Sequence, residues 1–225
     1  RKRVKEQFKI RVTADNHEVI NRSDIVILSV KPQFYAEVIA EIKDDVREDQ
    51  IIITIAPGKT LAWLKEQFGK NVKIVRTMPN TPALVGEGMT AACPNEYMTK
   101  EEIAYVLTLL ESFGRVEIIP ECLMDTVVSV SGSSPAYVFM FIEAMADAAV
   151  SGGMPRAQAY QFAAQAVLGS AKMVLETGKH PGELKDMVCS PAGTTIEAVR
   201  VLEEKGFRSS VIEAMKTCEE ISKSM

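Results

Sequence analysis

Three short, continuous apolar runs, each followed by a helical pattern, constrain the fold of this chain more than any other feature. The runs cover residues 24–30, 51–55 and 72–78. The helical patterns cover residues 33–42, 61–68 and 100–113. Continuous apolar runs of this length are typical of strands that are buried on both faces of a parallel sheet. Their alternation with helices predicts βαβ units, and residues 90–93 and 116–119 predict two further short strands.

The second half of the chain shows helical patterns and no convincing strand. Helices are predicted over residues 136–150, 155–177, 181–189, 193–205 and 207–222. Prolines near the starts and glycines after the ends are the usual boundary signals. We therefore predict an α/β domain over residues 1–120 and an all-helical domain over residues 121–225.

Composition and charge exclude several classes of function. The formal net charge of −4 provides no basic field for nonspecific binding of nucleic acid. The four cysteines form no CxxC pair and there are two histidines, so we expect no metal site. Scattered cysteines fit a reducing compartment, the cytoplasm. No apolar run approaches the roughly 20 residues that cross a bilayer, so we expect no membrane partner.

An open α/β sheet binds its ligand at the carboxyl ends of its strands, and a dinucleotide-binding sheet opens on a strand, a glycine-rich turn and a helix. The first glycine here is Gly58, so the preceding residues hold no GxGxxG motif. Either the domain binds no dinucleotide, or one β-turn-α unit plus a strand, roughly 30–40 residues, precedes Arg1. We expect the second, because the later elements follow in the right order. Arg1 and Lys2 would then accommodate the 2′-phosphate of NADP, or else are solvated terminal charges.

Rigid turns follow the three predicted strands and form a plausible ligand rim. They are residues 29–32 (SVKP), 55–58 (IAPG) and 78–82 (MPNTP). In the helical half, residues 190–195 (SPAGTT) lead into the start of a helix. Backbone N–H groups at such a start attract a carboxylate. Ordinary helix capping by the hydroxyl groups is the other interpretation of this segment, and composition alone favours it.

Taken together, these motifs resemble the pyrroline-5-carboxylate reductases over nearly the whole chain. The resemblance rests on SVKP at 29–32, RTMPNTP at 76–82, SGSSPAY at 131–137, HPGELKD at 180–186, SPAGTT at 190–195 and GFR at 206–208. It implies a Rossmann domain followed by an all-α domain that forms a homodimer, within larger rings in some members. It also implies NAD(P)H-dependent reduction of the small molecule 1-pyrroline-5-carboxylate to L-proline, the last step of proline biosynthesis. NADPH is the expected cofactor, and NAD is the alternative.

The resemblance also assigns site residues. It implies cofactor contacts from Asn16, Ser29, Val30, Lys31, Pro32, Ile55, Ala56, Pro57, Met78 and Asn80, the last two near the nicotinamide. It implies that the substrate carboxylate is held by Ser190, Gly193, Thr194 and Thr195. Thr195 would lie beside the ring nitrogen as the catalytic residue, and Glu121 is a further substrate-side candidate.

Three positions depart from the family pattern. Position 192 is usually Gly, position 134 often Gly and position 187 often Asn, whereas this chain has Ala192, Ser134 and Met187. Two alternative functions stay open. One is a noncatalytic or regulatory relative of the late-competence type, whose active-site loop would be degraded. The other is a 3-hydroxyacid dehydrogenase, which is disfavoured because Glu176, not Asn, stands four residues after Lys172.

Overall fold

The computed structural model describes residues 1–224, and its sheet has five strands in the order β1-β2-β3-β4-β5. The strands are β1 (Ile25–Leu28), β2 (Ile51–Thr54), β3 (Lys73–Met78), β4 (Gly88–Pro94) and β5 (Gly114–Ile118). The helices are α1 (Lys2–Phe8), α2 (Asn16–Asn21), α3 (Tyr35–Ile42), α4 (Leu61–Phe68), α5 (Lys100–Glu111), α6 (Met124–Val127), α7 (Ser134–Ser151), α8 (Arg156–Thr177), α9 (Pro181–Val188), α10 (Thr194–Glu204) and α11 (Phe207–Lys223). A π turn, Val128–Gly132, lies between α6 and α7.

The direction of β4 distinguishes this sheet from a fully parallel one. Strands β1, β2 and β3 pair in parallel, whereas β4 pairs with β3 antiparallel and β5 pairs with β4 in parallel. Residues 79–87 link β3 to β4 and contain only a short 3₁₀ turn, Thr81–Val85. A parallel return needs a crossover of a dozen or more residues, so this link reverses the chain. As a result, the start of β4 lies at the same end of the sheet as the carboxyl ends of β1, β2 and β3.

Helices pack on both faces of the sheet, which confirms the α/β class. On one face, Val26, Leu28, Ile52 and Ile74 pack with α3 and α4. On the other face, Ile51, Ile53, Val75 and Ala92 pack with Val106 and Leu110 of α5. The alternation follows from the period of two along a strand.

The prediction that the first apolar run is buried on both faces is wrong for Ile27, which is 54% exposed. Strand β1 lies at the edge of the sheet. Within residues 1–224, it pairs with β2 alone, and α3 and α4 cover the opposite face. Burial in a doubly covered sheet needs neighbours on both faces, and Ile27 lacks one of them here.

By its contacts, the chain divides into two compact units after Ser133, and the domain boundary at residue 120 stays a prediction. The first unit is residues 1–133 together with the residues from Cys218 onward, and the second is Ser134–Thr217. Residues 121–133 belong with the sheet because Met124 is fully buried in a cluster with Met78 and Ala91. The last residues join the same unit, since the Ser222 hydroxyl donates to Asp125 Oδ1 at 2.7 Å.

The second unit is all-helical, as predicted, and exposes much apolar surface. Buried residues in its two long helices are few, for example Ala146, Ala159 and Ala163. Its exposed large apolar side chains include Phe139, Met140, Phe162, Leu175, Val188 and Ile212. By length and mean hydropathy (1.2), the helical stretch Glu121–Ser151 is also long and apolar enough to span a membrane. The sequence-based expectation that no segment crosses a membrane therefore stays a prediction.

Candidate functional site

Two predicted cofactor turns lie side by side at the carboxyl ends of β1 and β2. Ser29, Val30 and Lys31 are exposed, and Pro32 opens a short 3₁₀ turn that leads into α3. On the neighbouring strand end, Ile55 and Pro57 are half-buried, whereas Ala56 is buried. Gly58 follows with φ of 72°, a conformation that favours glycine. The structure thus brings residues 29–32 and 55–58 together, because the strands that precede them are parallel neighbours.

Met78 and Asn80, predicted near the nicotinamide, have different surroundings. The Met78 side chain is 6% exposed and packs against Met124, so it presents little surface to a ligand. Asn80 is half-buried, and both ends of its amide are already engaged. Its Oδ1 accepts from the Met89 N–H at 2.9 Å, and its Nδ2 donates to the Ser131 carbonyl at 3.1 Å. Asn80 therefore joins the turn after β3 to β4 and to the π turn.

An apolar cavity of about 660 Å³ opens on the α5 face of the sheet. Ile27, Ile53, Leu110 and Phe113 contribute its apolar wall, and Asn80 lies among its lining residues. The volume is within the range of ligand pockets in proteins. Thr77 faces this cavity, while Met78 faces the opposite side of the sheet, as successive residues of a strand must.

Arg1 and Lys2 lie at the start of α1, whose first turns expose several basic side chains. Arg1 is the residue before the helix, and Lys2, Arg3 and Lys5 follow in its first turns. Among the described residues, none of these four cations forms an ion pair with an acidic side chain. This leaves their charge available to a phosphate group.

Asn16, a predicted cofactor contact, opens α2 in an exposed acidic neighbourhood. Its Nδ2 donates to Glu41 Oε2 at 2.8 Å. Asp15, His17 and Glu41 each bring one potential metal-ligand atom within 4.8 Å of the others, although Glu41 is distant in sequence from the other two. The imidazole of His17 is hydrogen-bonded to Asp45, and this bond is the main reason why the pKa of His17 is raised. Exposed acidic groups of this kind need no ion, and the absence of a metal stays a prediction.

Glu121, the weaker substrate-side candidate, is held by two partners inside the first unit. Its Oε1 accepts from Arg76 Nη1 at 2.9 Å and from the Leu61 N–H, at the start of α4, at 2.7 Å. The Arg76 side chain is 3% exposed, and its Nε has no hydrogen-bond partner among the described residues. No role for Arg76 was predicted from the sequence. The available signal was a cation in the middle of a largely apolar strand, which requires a counter-charge when buried.

The loop before α10 leaves the N-terminal amides of that helix free. Gly193 is the residue before the helix, and no side chain in the described part of the chain caps the helix there. Some helices are capped, such as α4 by Thr60 and α5 by Thr99 through a reciprocal capping box, whereas α1, α3, α6 and α8 are uncapped like α10. The alternative interpretation, that the hydroxyl groups simply cap this helix, therefore finds no support in the hydrogen bonds. Thr194 is exposed and Thr195 half-buried, so the first turn can present N–H donors and hydroxyl groups to an anion.

The same loop contains a strained residue and a closely packed glycine. Ala192 has φ of 56°, in the left-handed region that favours glycine. A side chain on Gly193 would bring its Cβ within 2.3 Å of Ser190 Oγ and 3.1 Å of the Ser190 carbonyl oxygen, so Ser190 would have to shift. The Gly193 N–H donates to the Ser190 carbonyl at 3.0 Å, which closes the turn. The loop thus has a glycine where space is tight, and alanine where the family usually has glycine.

Family profiles match two separate parts of the chain. A family profile described as pyrroline-5-carboxylate reductase dimerisation matches residues 121–225. A profile described as NADP oxidoreductase coenzyme F420-dependent matches residues 1–58. The chain is 59% identical over 220 residues to the pyrroline-5-carboxylate reductase of Escherichia coli (strain K12), covering 98% of this chain and 82% of that protein. It is 44% identical to the one from Methanosarcina acetivorans, covering 96% and 80%.

Solved structures agree with these matches. The pyrroline carboxylate reductase of Plasmodium falciparum, crystallised with NADP bound, is 34% identical with a TM-score of 0.89, covering 94% of this chain and 80% of that one. The 1-pyrroline-5-carboxylate reductase of Streptococcus pyogenes is 34% identical with a TM-score of 0.90, covering 100% and 85%. The chain belongs to the pyrroline-5-carboxylate reductase family.

Proposed function

We infer that this protein reduces 1-pyrroline-5-carboxylate to L-proline with a nicotinamide cofactor, the last step of proline biosynthesis. The observation that carries this inference is the 59% identity to the Escherichia coli reductase over 98% of the chain. The free N-terminus of α10 and the paired strand-end turns of the first unit support it, because they offer the anion site and the rim that the reaction needs. The protein is thus an oxidoreductase that acts on a CH–NH group.

NADPH is the cofactor in this proposal, with NADH as a weaker alternative. The P. falciparum relative was crystallised with NADP. The cations of α1, Arg1 and Lys2 first among them, suit the 2′-phosphate because no acid neutralises them. Asn16 and the turns at 29–32 and 55–57 would hold the rest of the dinucleotide, with Met78 and Asn80 on the nicotinamide side. When bound, the cofactor supplies the hydride that reduces C5 of the pyrroline ring.

The substrate carboxylate is held at the loop 190–195 in this proposal. Backbone N–H groups in the first turn of α10 point out of the helix with no intrahelical partner. Together with the helix dipole, they favour a negative charge at this position. Ser190 and Thr194 add hydroxyl groups on either side of Gly193, whose missing side chain keeps the turn open. Glu121 has a smaller role than the resemblance implies, because one of its oxygens is already engaged by Arg76 and Leu61.

We propose that the ring nitrogen receives its proton while it lies beside Thr195. Reduction adds a hydride, which is one proton with two electrons, to C5 and one further proton to nitrogen, so the C=N bond becomes CH–NH. The Thr195 hydroxyl can hydrogen-bond the nitrogen and orient it. Its own acidity is too low for it to be the final proton source, so water or prior protonation of the imine supplies the proton. The main contribution of the protein is therefore to hold the substrate in a reactive orientation.

The exposed apolar side chains of the second unit support self-association. Patches larger than a few hundred Å² are unusual on monomers and mark interaction surfaces. We propose a homodimer that buries the apolar faces of α7 and α8, either alone or within a ring of such dimers, in the cytoplasm. Neither a membrane nor a nucleic acid is needed as a partner.

Steady-state assays of the complete gene product with 1-pyrroline-5-carboxylate test the proposal. We expect turnover with NADPH and slower or weaker turnover with NADH. A regulatory relative would bind cofactor without turnover, and a 3-hydroxyacid dehydrogenase would instead oxidise a hydroxy acid. The second alternative is disfavoured, since Glu176, which forms an exposed i,i+4 ion pair with Lys172 at 3.4 Å, stands where that class has Asn.

A further inference from the structure

Tyr35, the first residue of α3, places a hydroxyl group at the carboxyl ends of two neighbouring strands. Its side chain is 0% exposed and belongs to the core cluster on the α3 face of the sheet. The hydroxyl donates to the Leu28 carbonyl at 2.5 Å and accepts from the Ile55 N–H at 3.2 Å. One oxygen atom therefore connects the last residue of β1 to the first residue after β2.

This connection begins where the sheet ladder stops. Leu28 and Thr54 are the last register pair of β1 and β2, and beyond them the two chains form separate turns. A hydroxyl group can donate and accept at the same time, so it satisfies both backbone groups at the point of separation. Without it, a carbonyl and an N–H at a largely buried position would each lose a partner, which proteins rarely tolerate.

The hydroxyl keeps its proton under ordinary conditions. Burial raises the pKa of Tyr35, and hydrogen bonds from the backbone of Ile55 and Ala56 oppose this shift only in part. The bond to the Leu28 carbonyl, which needs that proton, therefore persists through the neutral pH range.

We propose that Tyr35 is a positioning residue for the cofactor. The turns that it connects are residues 29–32 and 55–57, which the proposed function assigns to NADPH, so this inference rests on that function. The Tyr35 side chain itself is buried, so we assign it no direct contact with the cofactor. It fixes the spacing of the two turns before the cofactor arrives, so that less ordering is needed on binding.

The test compares Tyr35→Phe with the wild type of the complete gene product. Phenylalanine keeps the ring in the core and removes the two hydrogen bonds. We expect the Kd for NADPH, measured by calorimetry, to rise about fivefold to tenfold. The value of kcat at saturating NADPH and the KM for 1-pyrroline-5-carboxylate should change less than twofold, because the substrate loop lies in the other unit.

Ile39→Val is the matched control for general loss of stability. Ile39 is 0% exposed and lies one turn along α3 in the same core cluster. Its side chain has no polar atom, so it forms no hydrogen bond to the strand ends. It should lower the melting temperature and leave the Kd for NADPH unchanged. Tyr35→Met removes the same hydroxyl but fills the space with a flexible side chain. It should also weaken NADPH binding, and it replaces the Phe variant in the test if that variant does not fold.

Two results would overturn the role of Tyr35. One is a Kd for NADPH within twofold of the wild type in a folded hydroxyl-free variant. The other is an equal rise in Ile39→Val, which would make the effect one of stability. If the wild type binds NADPH but does not reduce 1-pyrroline-5-carboxylate, the proposed reaction fails while the role of Tyr35 is still decided by binding. A wild type that binds neither NADPH nor NADH overturns both.

Discussion

The side-chain amide of Asn80 donates to the carbonyl of Ser131 at 3.1 Å, and no backbone group can make that bond in the usual helical pattern. In an α-helix the carbonyl of residue 131 would accept from the N–H of residue 135. Residue 135 is proline and has no N–H. The chain forms a π turn at Val128–Gly132, and Asn80 supplies the missing donor from the neighbouring turn. A residue predicted to contact the cofactor thus has a structural partner.

Replacement of Asn80 by aspartate tests what this bond does. The carboxylate can still accept from the Met89 N–H but cannot donate to the Ser131 carbonyl. We expect unfolding free energy to fall by about 1–2 kcal/mol and the KM for NADPH to rise. Urea unfolding and steady-state kinetics measure both.

Asn95→Asp is the control for the Asn80 variant. Asn95 makes the same pair of backbone bonds, from Ile74 N–H at 3.2 Å and to the Val72 carbonyl at 2.8 Å, beside the start of β3. It should lose similar stability with an unchanged KM for NADPH. If the KM for NADPH is the same in both variants, Asn80 is not part of the cofactor site.

Glu121→Gln separates a structural role of Glu121 from a substrate-binding one. The change leaves the buried guanidinium of Arg76 without its counter-charge, so we expect a loss of about 3 kcal/mol in unfolding free energy. The KM for 1-pyrroline-5-carboxylate should stay within about threefold. Glu96→Gln, which breaks an exposed pair with Lys65, should cost less than about 1 kcal/mol. A higher substrate KM at full stability would restore the substrate role.

Ala192→Gly should stabilise the protein, because glycine adopts the left-handed conformation of residue 192 without strain. We expect a gain of about 1 kcal/mol, which corresponds to roughly 2–4 °C in melting temperature for a protein of this size. Lys9, the other non-glycine residue with φ of 56°, provides the comparison. Lys9→Gly should give a similar gain. If calorimetry finds Ala192→Gly neutral or destabilising while Lys9→Gly stabilises, the loop does not hold residue 192 in this strained conformation.

Thr195→Ala should lower kcat by about 10- to 100-fold and change the Kd for NADPH by less than twofold. The reason is that the hydroxyl is assigned to the ring nitrogen, where its effect is on the reacting substrate. Thr177→Ala makes the same substitution at an exposed helical position of the same unit, where the hydroxyl donates to the Met173 carbonyl and accepts from the Lys179 N–H. It should leave kcat unchanged. Unchanged turnover in Thr195→Ala would end its catalytic assignment.

Much of the fold could be predicted from the sequence, because the spacing of apolar residues and the turn residues at each end determine where a helix or strand lies. The helices α8, α9, α10 and α11 begin and end within one or two residues of their predicted limits, since proline and glycine mark them. The direction of β4 could not be predicted from the hydrophobic period of its sequence, because that period is the same in parallel and antiparallel strands. Only the shortness of the link between β3 and β4 indicated that β4 runs antiparallel to β3.

The site was predicted less completely, because its supporting contacts join residues distant in sequence. The turns after β1 and β2 were found, since strand ends are visible as motifs. Tyr35 and Arg76 were not, because their roles depend on partners 20 and 45 residues away. For the loop before α10, composition alone favoured helix capping by hydroxyl groups. The uncapped helix start weakens that interpretation.

Transfer of a labelled hydride tests the central claim most directly. The complete gene product is incubated with 1-pyrroline-5-carboxylate and NADPH that carries deuterium at the transferred position of the nicotinamide, and the product is analysed by mass spectrometry and chiral chromatography. The account predicts L-proline with one deuterium at C5. Absence of proline, or proline without deuterium at C5, would contradict it.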